Sequence, residues 1–444
     1  MLDVSSPRRF SGRLAAAAAV AACLVATSCS ADDSSGPGPS AASSPAPTAA
    51  RASPTEAASP SDTAADAAAE AAARRAARRA AAQARAAARV AARAQAQRAA
   101  KQRARRAVRA VRRENPLAHR PWGNYYGDGD QAWGPYASSS GETRSLLGRI
   151  VLQPRSKWFG SWIPDGQIEE KVRGYIQNAQ DGDPDALVQL ATFRMKPWEH
   201  DACRSLPSAA QAAGYRAWTD ALARGIGDSP VAITLQADGP FALCAPGGSG
   251  AYSSLIRYSA QVLGSLPNAA VYIDAGAEDW LAGDTEEALR LLVPAGVEYV
   301  RGFSMNNTHY NSTEREVEFG ARVVEALAAR GIRDKHFVVN TSSNGKPFPG
   351  STYAGKGHFD NADVCRSLDD TTCVTLGIPP TTKVSDPAWG MSEENRRNAA
   401  LYVDAYLWIG RPWLFMQADP FDLQRALQLV RTWPYAEYAD YPSS

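Results

Sequence analysis

Residues 231–274 read VAITLQADGPFALCAPGGSGAYSSLIRYSAQVLGSLPNAAVYID, and this stretch decides the fold. Its two ends, Val231–Gln236 and Ala269–Asp274, are short apolar runs that are typical of buried strands. Between them, Ser253–Leu263 carries apolar residues at helical spacing, after a Gly-rich turn. A strand, a helix and a second strand in this order predict a βαβ unit with two parallel strands.

The same alternation continues on both sides of this unit. Further strands are predicted at Ala186–Thr192, Glu298–Phe303, His336–Thr341 and Trp413–Gln417, with Trp158–Trp162 as a candidate first strand. Further helices are predicted at Ser208–Arg224, Glu286–Leu292, Glu314–Arg330 and Ser392–Leu407. Repeated units of this kind predict an α/β fold, a distorted (β/α) barrel of parallel strands over residues 114–444.

The beginning of the chain has a different composition. All 11 Trp and 16 Tyr lie from Pro121 onward, so only the later residues can build a large core. Residues 1–29 have the basic and apolar regions of a signal peptide, which predicts export. They end in Ala-Thr-Ser-Cys29, which resembles a lipoprotein cleavage site. Lipidation of Cys29 would anchor the protein to the cell surface, whereas simple cleavage would secrete it.

Two further segments precede the predicted barrel. Residues 30–61 are rich in Ser, Pro and Ala, which predicts a disordered linker. Residues 62–113 are Ala/Arg-rich without Gly or Pro and carry a net charge of +12, which predicts a basic helical stalk. The predicted barrel then has a net charge of −10. The stalk is a solvated spacer or a contact for anionic lipid or cell-wall polymer. A nucleic-acid partner is not expected, because the segment lacks aromatic residues for base stacking.

Polar side chains follow the predicted strands, where parallel barrels build their active sites. Carboxylates and amides at these positions are Glu199, Asp201, Asp238, Asp274, Asn306 and Asp419. Paired carboxylates suit glycoside hydrolysis, because one protonates the leaving oxygen while another assists the attacking water. Aromatic side chains can offer flat faces to sugar rings, and the candidates for this role are Trp162, Trp280 and Trp413.

Four cysteines lie in the predicted barrel. An even set in an exported chain predicts two disulfides, and we expect Cys203 to pair with Cys244 and Cys365 with Cys373. The first bridge would tie two adjacent loops of the site. We expect no metal, because the chain has no Cys-x-x-Cys pair and its His residues do not cluster with the cysteines, and we expect no cofactor.

Several short strings resemble glycoside hydrolase family 6, the inverting endoglucanases and cellobiohydrolases. They occur in the family's order: 115–118 (NPLA), 235–239 (LQADG), 271–276 (VYIDAG), 302–306 (GFSMN), 337–345 (FVVNTSSNG), 376–382 (LGIPPTT) and 404–409 (DAYLWI). The second string resembles the family's Glu-Pro-Asp motif and thereby makes Asp238 the general acid. The third resembles its sugar-binding Leu-Asp-Ala-Gly-His segment.

The chain also departs from the family pattern. Ala277 stands in place of the motif's His, and residues 410–419 (GRPWLFMQAD) replace a Lys-x-Pro-Gly-Glu-Ser-Asp-Gly-like loop that holds sugar. The loop before Cys203 places neither Glu199 nor Asp201 directly next to the cysteine.

The resemblance implies an exported inverting hydrolase of β-glucan or another polysaccharide. In this reading Glu199 or Asp201 assists Asp238 through charge and water, and Asp274, Asn306 and Asp419 contact sugar hydroxyls. The alternative is a catalytically inactive, surface-tethered carbohydrate-binding protein on the same barrel.

Overall fold

Seven parallel strands form one sheet in chain order. The computed structural model describes residues 60–111, 115–355 and 357–439. The strands are β1 Lys157–Gly160, β2 Val188–Phe193, β3 Val231–Leu235, β4 Ala269–Asp274, β5 Gly302–Met305, β6 His336–Asn340 and β7 Val403–Leu407. The helices are α1 Pro60–Val111, α2 Trp133–Ser138, α3 Gly141–Val151, α4 Ile168–Gln180, α5 Trp198–Asp201, α6 Ala209–Ile226, α7 Ala251–Leu263, α8 Thr285–Leu292, α9 Thr313–Ala329, α10 Glu393–Tyr402 and α11 Leu423–Arg431.

The first helix, α1, is 52 residues long and extends over the Ala/Arg-rich segment where a helix is predicted. Its side chains between residues 67 and 95 are nearly all exposed, and Arg74 forms an ion pair with Glu70 one turn earlier. No helix within the described ranges is long and apolar enough to cross a bilayer. The predicted signal peptide with Cys29, and the linker up to residue 59, lie outside the described residues.

The sheet curls into a distorted barrel, as predicted. Its two edges approach each other without a regular ladder in the part of the chain that the structure describes. The Trp158 indole N–H donates to the carbonyl of Ile409 at 2.7 Å, and the Ser156 N–H donates to the carbonyl of Trp408 at 2.9 Å. These two bonds link the start of β1 to the chain that follows β7.

Small and aromatic side chains fill the barrel together. Ala191, Ala232, Ala270 and Ala405 share one buried cluster with Tyr272, so alanines from four strands leave room for one large ring. The opposite faces of the strands pack against the surrounding helices in a second, larger cluster. Because both faces are buried, the strands read as continuous apolar runs without alternation.

Two predicted elements are wrong. The helix predicted at Ser392–Leu407 ends at Tyr402, and the chain enters β7 at the next residue. A strand buried on both faces lacks the period of two that would distinguish it from a continuing helix. The strand predicted at Trp413–Gln417 is a turn, in which Phe415–Gln417 form one turn of 3₁₀ helix and Met416 has a φ of 52°.

The remaining predictions agree more closely with the structure. The β4 strand occupies Ala269–Asp274, the range predicted for it. The strand predicted at Glu298–Phe303 begins later, at Gly302, because Val297–Tyr299 form a turn of 3₁₀ helix.

Candidate active site

The predicted acid, Asp238, lies in the turn that follows β3 at the carboxyl end of the sheet. Its backbone is left-handed with a φ of 62°, and Gln236 two residues earlier has a φ of 55°. Such conformations are uncommon for residues with a side chain and concentrate at functional sites. The hydroxyl of Thr308, in the loop after β5, donates to Asp238 Oδ1 at 2.9 Å.

The surroundings of Asp238 favour its protonated form. Burial raises its pKa to about 7, and the negative charges of Asp274 and Asp360 act in the same direction. The Thr308 hydrogen bond and the charge of His309 oppose this shift. A carboxyl group with this pKa can hold a proton at the pH where a general acid has to donate it.

The neighbouring carboxyl of Asp274 is only 1% exposed. Its Oδ1 accepts the Gly276 N–H at 2.8 Å and its Oδ2 accepts the Gly239 N–H at 3.4 Å. Burial raises the pKa of Asp274 to about 6, although these backbone donors and the Asn307 side chain lower it. Asp274 therefore holds the Asp238 turn and places a second carboxyl beside the acid.

The turn after Asp238 requires glycine. A Cβ on Gly239 would lie 1.8 Å from the carbonyl oxygen of Asp274, which belongs to the backbone and cannot rotate away. The Asp-Gly pair in residues 238–239 therefore lets the β3 turn approach the end of β4 closely enough for the two carboxyls to interact.

His309 lies close enough to Asp238 for its charge to affect the acid, and it was not among the predicted site residues. The imidazole of His309 stacks on Trp280 with ring centroids 4.9 Å apart, and its Nδ1 lies 3.0 Å from Asp279 Oδ1. Asp279 Oδ2 accepts the Gly350 N–H at 2.6 Å. The family string that ends at Asn306 continues as Asn-Thr-His, and polar residues directly after β5 were the signal that could have indicated His309.

Two predicted site residues, Trp162 and Asp419, line a cavity of about 1130 Å³ beside β1. Arg411, which was not predicted, also belongs to its lining, whereas Asp238 and Asp274 do not. The Trp162 side chain is 52% exposed, and Asp419 Oδ1 accepts the Gln131 side-chain amide at 3.2 Å. The structure thus divides the predicted residues between the turn after β3 and the cavity beside β1.

Two of the expected sugar contacts are wrong. The Asn306 side chain is fully buried. Its Nδ2 donates to the carbonyls of Asn311 and Asn340, and its Oδ1 accepts the Asn311 N–H. Trp413 is 3% exposed and packs against Trp408 in the core. Both side chains stabilise the loops after the strands and leave no surface for a sugar.

Asp274 needs the same correction, because its bonds are to the protein backbone and almost none of its surface reaches solvent. It accepts the Gly239 N–H in the Asp238 turn, and its negative charge raises the pKa of Asp238. Trp280 is partly exposed beside that turn, and its contact with sugar stays a prediction.

The assisting carboxylates lie in the short helix α5, after β2. Asp201 Oδ2 accepts the Ser205 hydroxyl at 2.5 Å, and its charge acts on Tyr252. The carboxylate with the largest effect on the pKa of Asp238 is Asp274 instead. For Glu199 the structure describes the backbone only, within α5.

Both expected disulfides are present. Cys203 is bonded to Cys244 and Cys365 to Cys373, each with a Cα–Cα distance of 4.9 Å. The first bridge ties the segment after α5 to the segment after Asp238, across a sequence separation of 41 residues.

Known proteins resemble this chain in sequence and in fold. Endoglucanase A of Cellulomonas fimi is 30% identical over 231 residues, which cover 51% of this chain and 48% of that protein. Endoglucanase 1 of Streptomyces halstedii is 30% identical over 227 residues, which cover 50% of this chain and 69% of that protein. The chain therefore spans about half the length of the Cellulomonas relative.

A solved structure of the endoglucanase Cel6 from Mycobacterium tuberculosis, in complex with methyl-cellobiosyl-4-deoxy-4-thio-β-D-cellobioside, superposes with a TM-score of 0.55 at 28% identity. The superposition covers 71% of this chain and 98% of that one. The model of the glycosyl hydrolases family 6 matches residues 118–412, a range that includes all seven strands and the Asp238 turn. The chain is a member of glycosyl hydrolase family 6.

Proposed function

We propose that this protein is an inverting glycoside hydrolase that cleaves β-glucan, or another polysaccharide, with Asp238 as general acid. The observation that carries the proposal is the raised pKa of Asp238, about 7, in a strained turn at the carboxyl end of β3. Family membership supports the reaction class, and the names of the relatives support a glucan substrate.

In the proposed reaction, Asp238 gives its proton to the glycosidic oxygen as the bond from that oxygen to the anomeric carbon breaks. A water molecule attacks the same carbon from the opposite face of the ring, which inverts the configuration, and its proton passes to solvent through the assisting carboxylate of Glu199 or Asp201. The Asp238 carboxylate that forms accepts the hydroxyl of Thr308 and lies within the field of His309. Thr308 and His309 stabilise the charged form of Asp238 that results. The negative charge of Asp274 raises the pKa of Asp238 and so favours its reprotonation.

Trp280 is the proposed aromatic platform beside the acid. His309 stacks on one face of its ring, at an interplanar angle of 14°, and Phe241 contacts it edge-on. These contacts fix the ring orientation, so that a sugar next to Asp238 meets a rigid surface. Asp279 in turn holds His309 through Nδ1, which leaves Nε2 for a substrate hydroxyl.

Glu199 and Asp201 remain our candidates for assistance through charge and water. Glu199→Gln and Asp201→Asn separate them: the assisting residue should lose kcat with little change of KM, whereas the other should retain wild-type kcat. Asp201→Asn also keeps a side-chain acceptor for the Ser205 hydroxyl, so its fold should survive.

The proposal is tested by reducing-sugar release from soluble β-glucan and from a panel of other polysaccharides. Asp238→Asn should lower kcat by about 10² to 10⁴, the usual contribution of a general acid. Asp228→Asn is the matched control, because Asp228 is exposed just before β3, at the other end of the strand, and should retain full activity. An Asp238→Asn protein as active as the wild type would contradict the assignment, and NMR of the first products should show the inverted anomer.

The second candidate is a carbohydrate-binding barrel without hydrolysis. The rewritten segment 410–419, which carries a buried Trp413 and a turn in place of the family's charged loop, favours it. Binding of a polysaccharide with no product release by the wild type over the whole panel would support this candidate and would overturn the hydrolase.

We further propose that the protein is exported and held at the cell surface through lipid on Cys29, or secreted if cleavage leaves no lipid. The exposed helix α1 would then act as a spacer or contact anionic lipid and cell-wall polymer. Metabolic labelling with a fatty acid should mark the wild type and not Cys29→Ser, and unlabelled wild type in the medium would favour the secreted form.

A further inference from the structure

Four cations line the cavity beside β1, and the proposed reaction uses none of them. Lys171 and Arg173 are exposed, whereas Lys157 and Arg411 are not. Lys157 lies at the start of β1, and Arg411 lies in the segment that replaces the family's charged loop. Both side chains are half-buried. The barrel as a whole is acidic, with a net charge of −10, so a half-buried pair of cations is a local exception.

Arg411 has no carboxylate bonded to it. Its guanidinium lies 4.6 Å from the centroid of the Trp158 ring, and its Nε is buried with no hydrogen-bond partner. The negative charges of Asp130 and Asp419 raise its pKa. Asp130 is already paired with Arg155 at 2.6 Å, however, and Asp419 is exposed. Burial therefore lowers the pKa of Arg411 to about 10 despite both carboxylates.

Lys157 lies in a similar environment. Its ammonium donates to the Gly129 carbonyl, which leaves two of its three protons without a described acceptor. Burial lowers the pKa of Lys157 to about 8, and the positive charges of Arg411 and Arg155 contribute to the decrease, although the charge of Asp130 opposes it. Two partly desolvated cations near one another raise the free energy of the cavity, and an anion between them would lower it.

The acidic residues of the cavity do not neutralise this pair. Asp128, Glu170 and Asp419 line the cavity, but all three are exposed, whereas the two cations lie deeper. Charges at an exposed rim are screened by water and salt far more than charges in the interior. The inner wall therefore favours a negative group.

An aromatic surface accompanies the cations. Trp162 lines the same cavity with about half of its side chain exposed, and its ring covers Gly160, where a Cβ would come within 2.2 Å of it. A planar apolar face next to unpaired donors fits a sugar ring that carries a carboxylate, which is a uronic acid.

We propose that this cavity binds a uronate residue of an acidic polysaccharide, with the carboxylate between the Lys157 ammonium and the Arg411 guanidinium and the ring against Trp162. The proposal rests on the proposed function in one respect, that a polysaccharide is the substrate, and it narrows the substrate class to acidic glycans.

Calorimetric titration of the full chain with two probes tests the proposal: cellotetraose and β-1,4-linked tetraglucuronate. Asp238→Asn serves as the host, so that neither probe is consumed during the titration. The tetraglucuronate should bind at least about 10-fold more tightly, since charge-assisted hydrogen bonds replace lost hydration. The preference should shrink as salt rises from about 0.02 M to about 0.5 M. Equal affinities at low salt would overturn the proposal.

Variants in the same host locate the effect. Arg411→Gln should remove most of the preference and leave cellotetraose binding within about 2-fold, whereas Arg411→Lys should keep part of it. Lys383→Gln removes one exposed positive charge outside the cavity and should change neither affinity. A preference that persists in folded Arg411→Gln would refute the site.

The failure of this inference differs from that of the proposed function. Neutral β-glucan that is cleaved without any uronate preference would refute only the acidic site. A salt-sensitive uronate preference in a protein that hydrolyses no glycan would refute only the hydrolase.

Discussion

The hydroxyl of Thr308 donates to Asp238 Oδ1 at 2.9 Å, and it is the hydrogen bond that most lowers the pKa of the proposed acid. Thr308→Val keeps the shape and removes this donor. Without it, the charged form of Asp238 is less stable, so its pKa should rise further, by about one unit if the bond contributes about 1.5 kcal/mol. The alkaline limb of the pH profile of kcat/KM should therefore move to higher pH.

Thr308→Ser is the control for this prediction, because it keeps the hydroxyl and should leave the alkaline limb in place. A limb in Thr308→Val that stays where it is, or moves to lower pH, would show that the hydrogen bond does not control the acid.

Asp238 should also make stability depend on pH. Its folded pKa of about 7 exceeds the ordinary aspartate value of 3.8, so its stabilising contribution is complete below pH 3.8 and is lost as the pH rises through about 7. Asp238→Asn removes this loss. The variant should be more stable relative to wild type at pH 8 than at pH 5, by up to about 2.6 kcal/mol, because about two units of the pKa shift are expressed between these two pH values.

Urea unfolding of both proteins at the two pH values measures this difference. A gap that is the same at pH 5 and pH 8 would mean that Asp238 titrates in the folded protein near its usual value. If Asp238→Asn loses activity and gains more stability over wild type at pH 8 than at pH 5, the protonated acid is needed for activity and lowers the stability of the wild-type protein.

Much of the barrel could be predicted from the sequence because its strands and helices alternate in a regular way. β4 has its predicted range, and the disulfide pairing follows from the positions of two cysteines in loops after neighbouring strands. The β7 strand was missed because α10 leads into it without a loop. Apolar composition alone cannot show where the period changes in such a run.

The site was less predictable, because position at a strand end does not determine where a side chain points. Asn306 and Trp413 follow strands as expected, yet both are buried. Conversely, His309 joins the site through stacking on Trp280 and a bond to Asp279, which are long-range contacts that no local pattern contains. The position of Asp238 in the turn after β3 was predictable, because its motif and its strand end coincide.

The two disulfides should contribute unequally to stability. Cys203–Cys244 has a sequence separation of 41 residues and Cys365–Cys373 one of 8. In the loop-entropy model these values correspond to about 4 and about 2.5 kcal/mol, because a longer loop loses more entropy when it is closed in the unfolded chain. Replacing Cys203 and Cys244 together by Ser should therefore lower the free energy of unfolding more than the same change at Cys365 and Cys373.

Urea unfolding of the two double variants under non-reducing conditions makes the comparison, and each serves as the control for the other. The first double variant should also lose kcat, since the bridge holds the segment that follows Asp238. Equal unfolding free energies in the two variants would contradict the loop-entropy account.

Gly239→Ala should damage the site through the backbone alone. Its Cβ would lie 1.8 Å from the Asp274 carbonyl oxygen, so the β3 turn has to move away from the end of β4. That movement separates the two carboxyls and lowers the pKa of Asp238, because the charge of Asp274 contributes to raising it. We expect a loss of kcat of at least about 10², as for other misplacements of catalytic groups by about an ångström, and lower stability. Gly134→Ala is the matched control, since no atom lies within 4 Å of its Cβ position in α2, and full activity should remain there. Wild-type kcat in Gly239→Ala would show that the close approach of the two turns is not needed for the reaction.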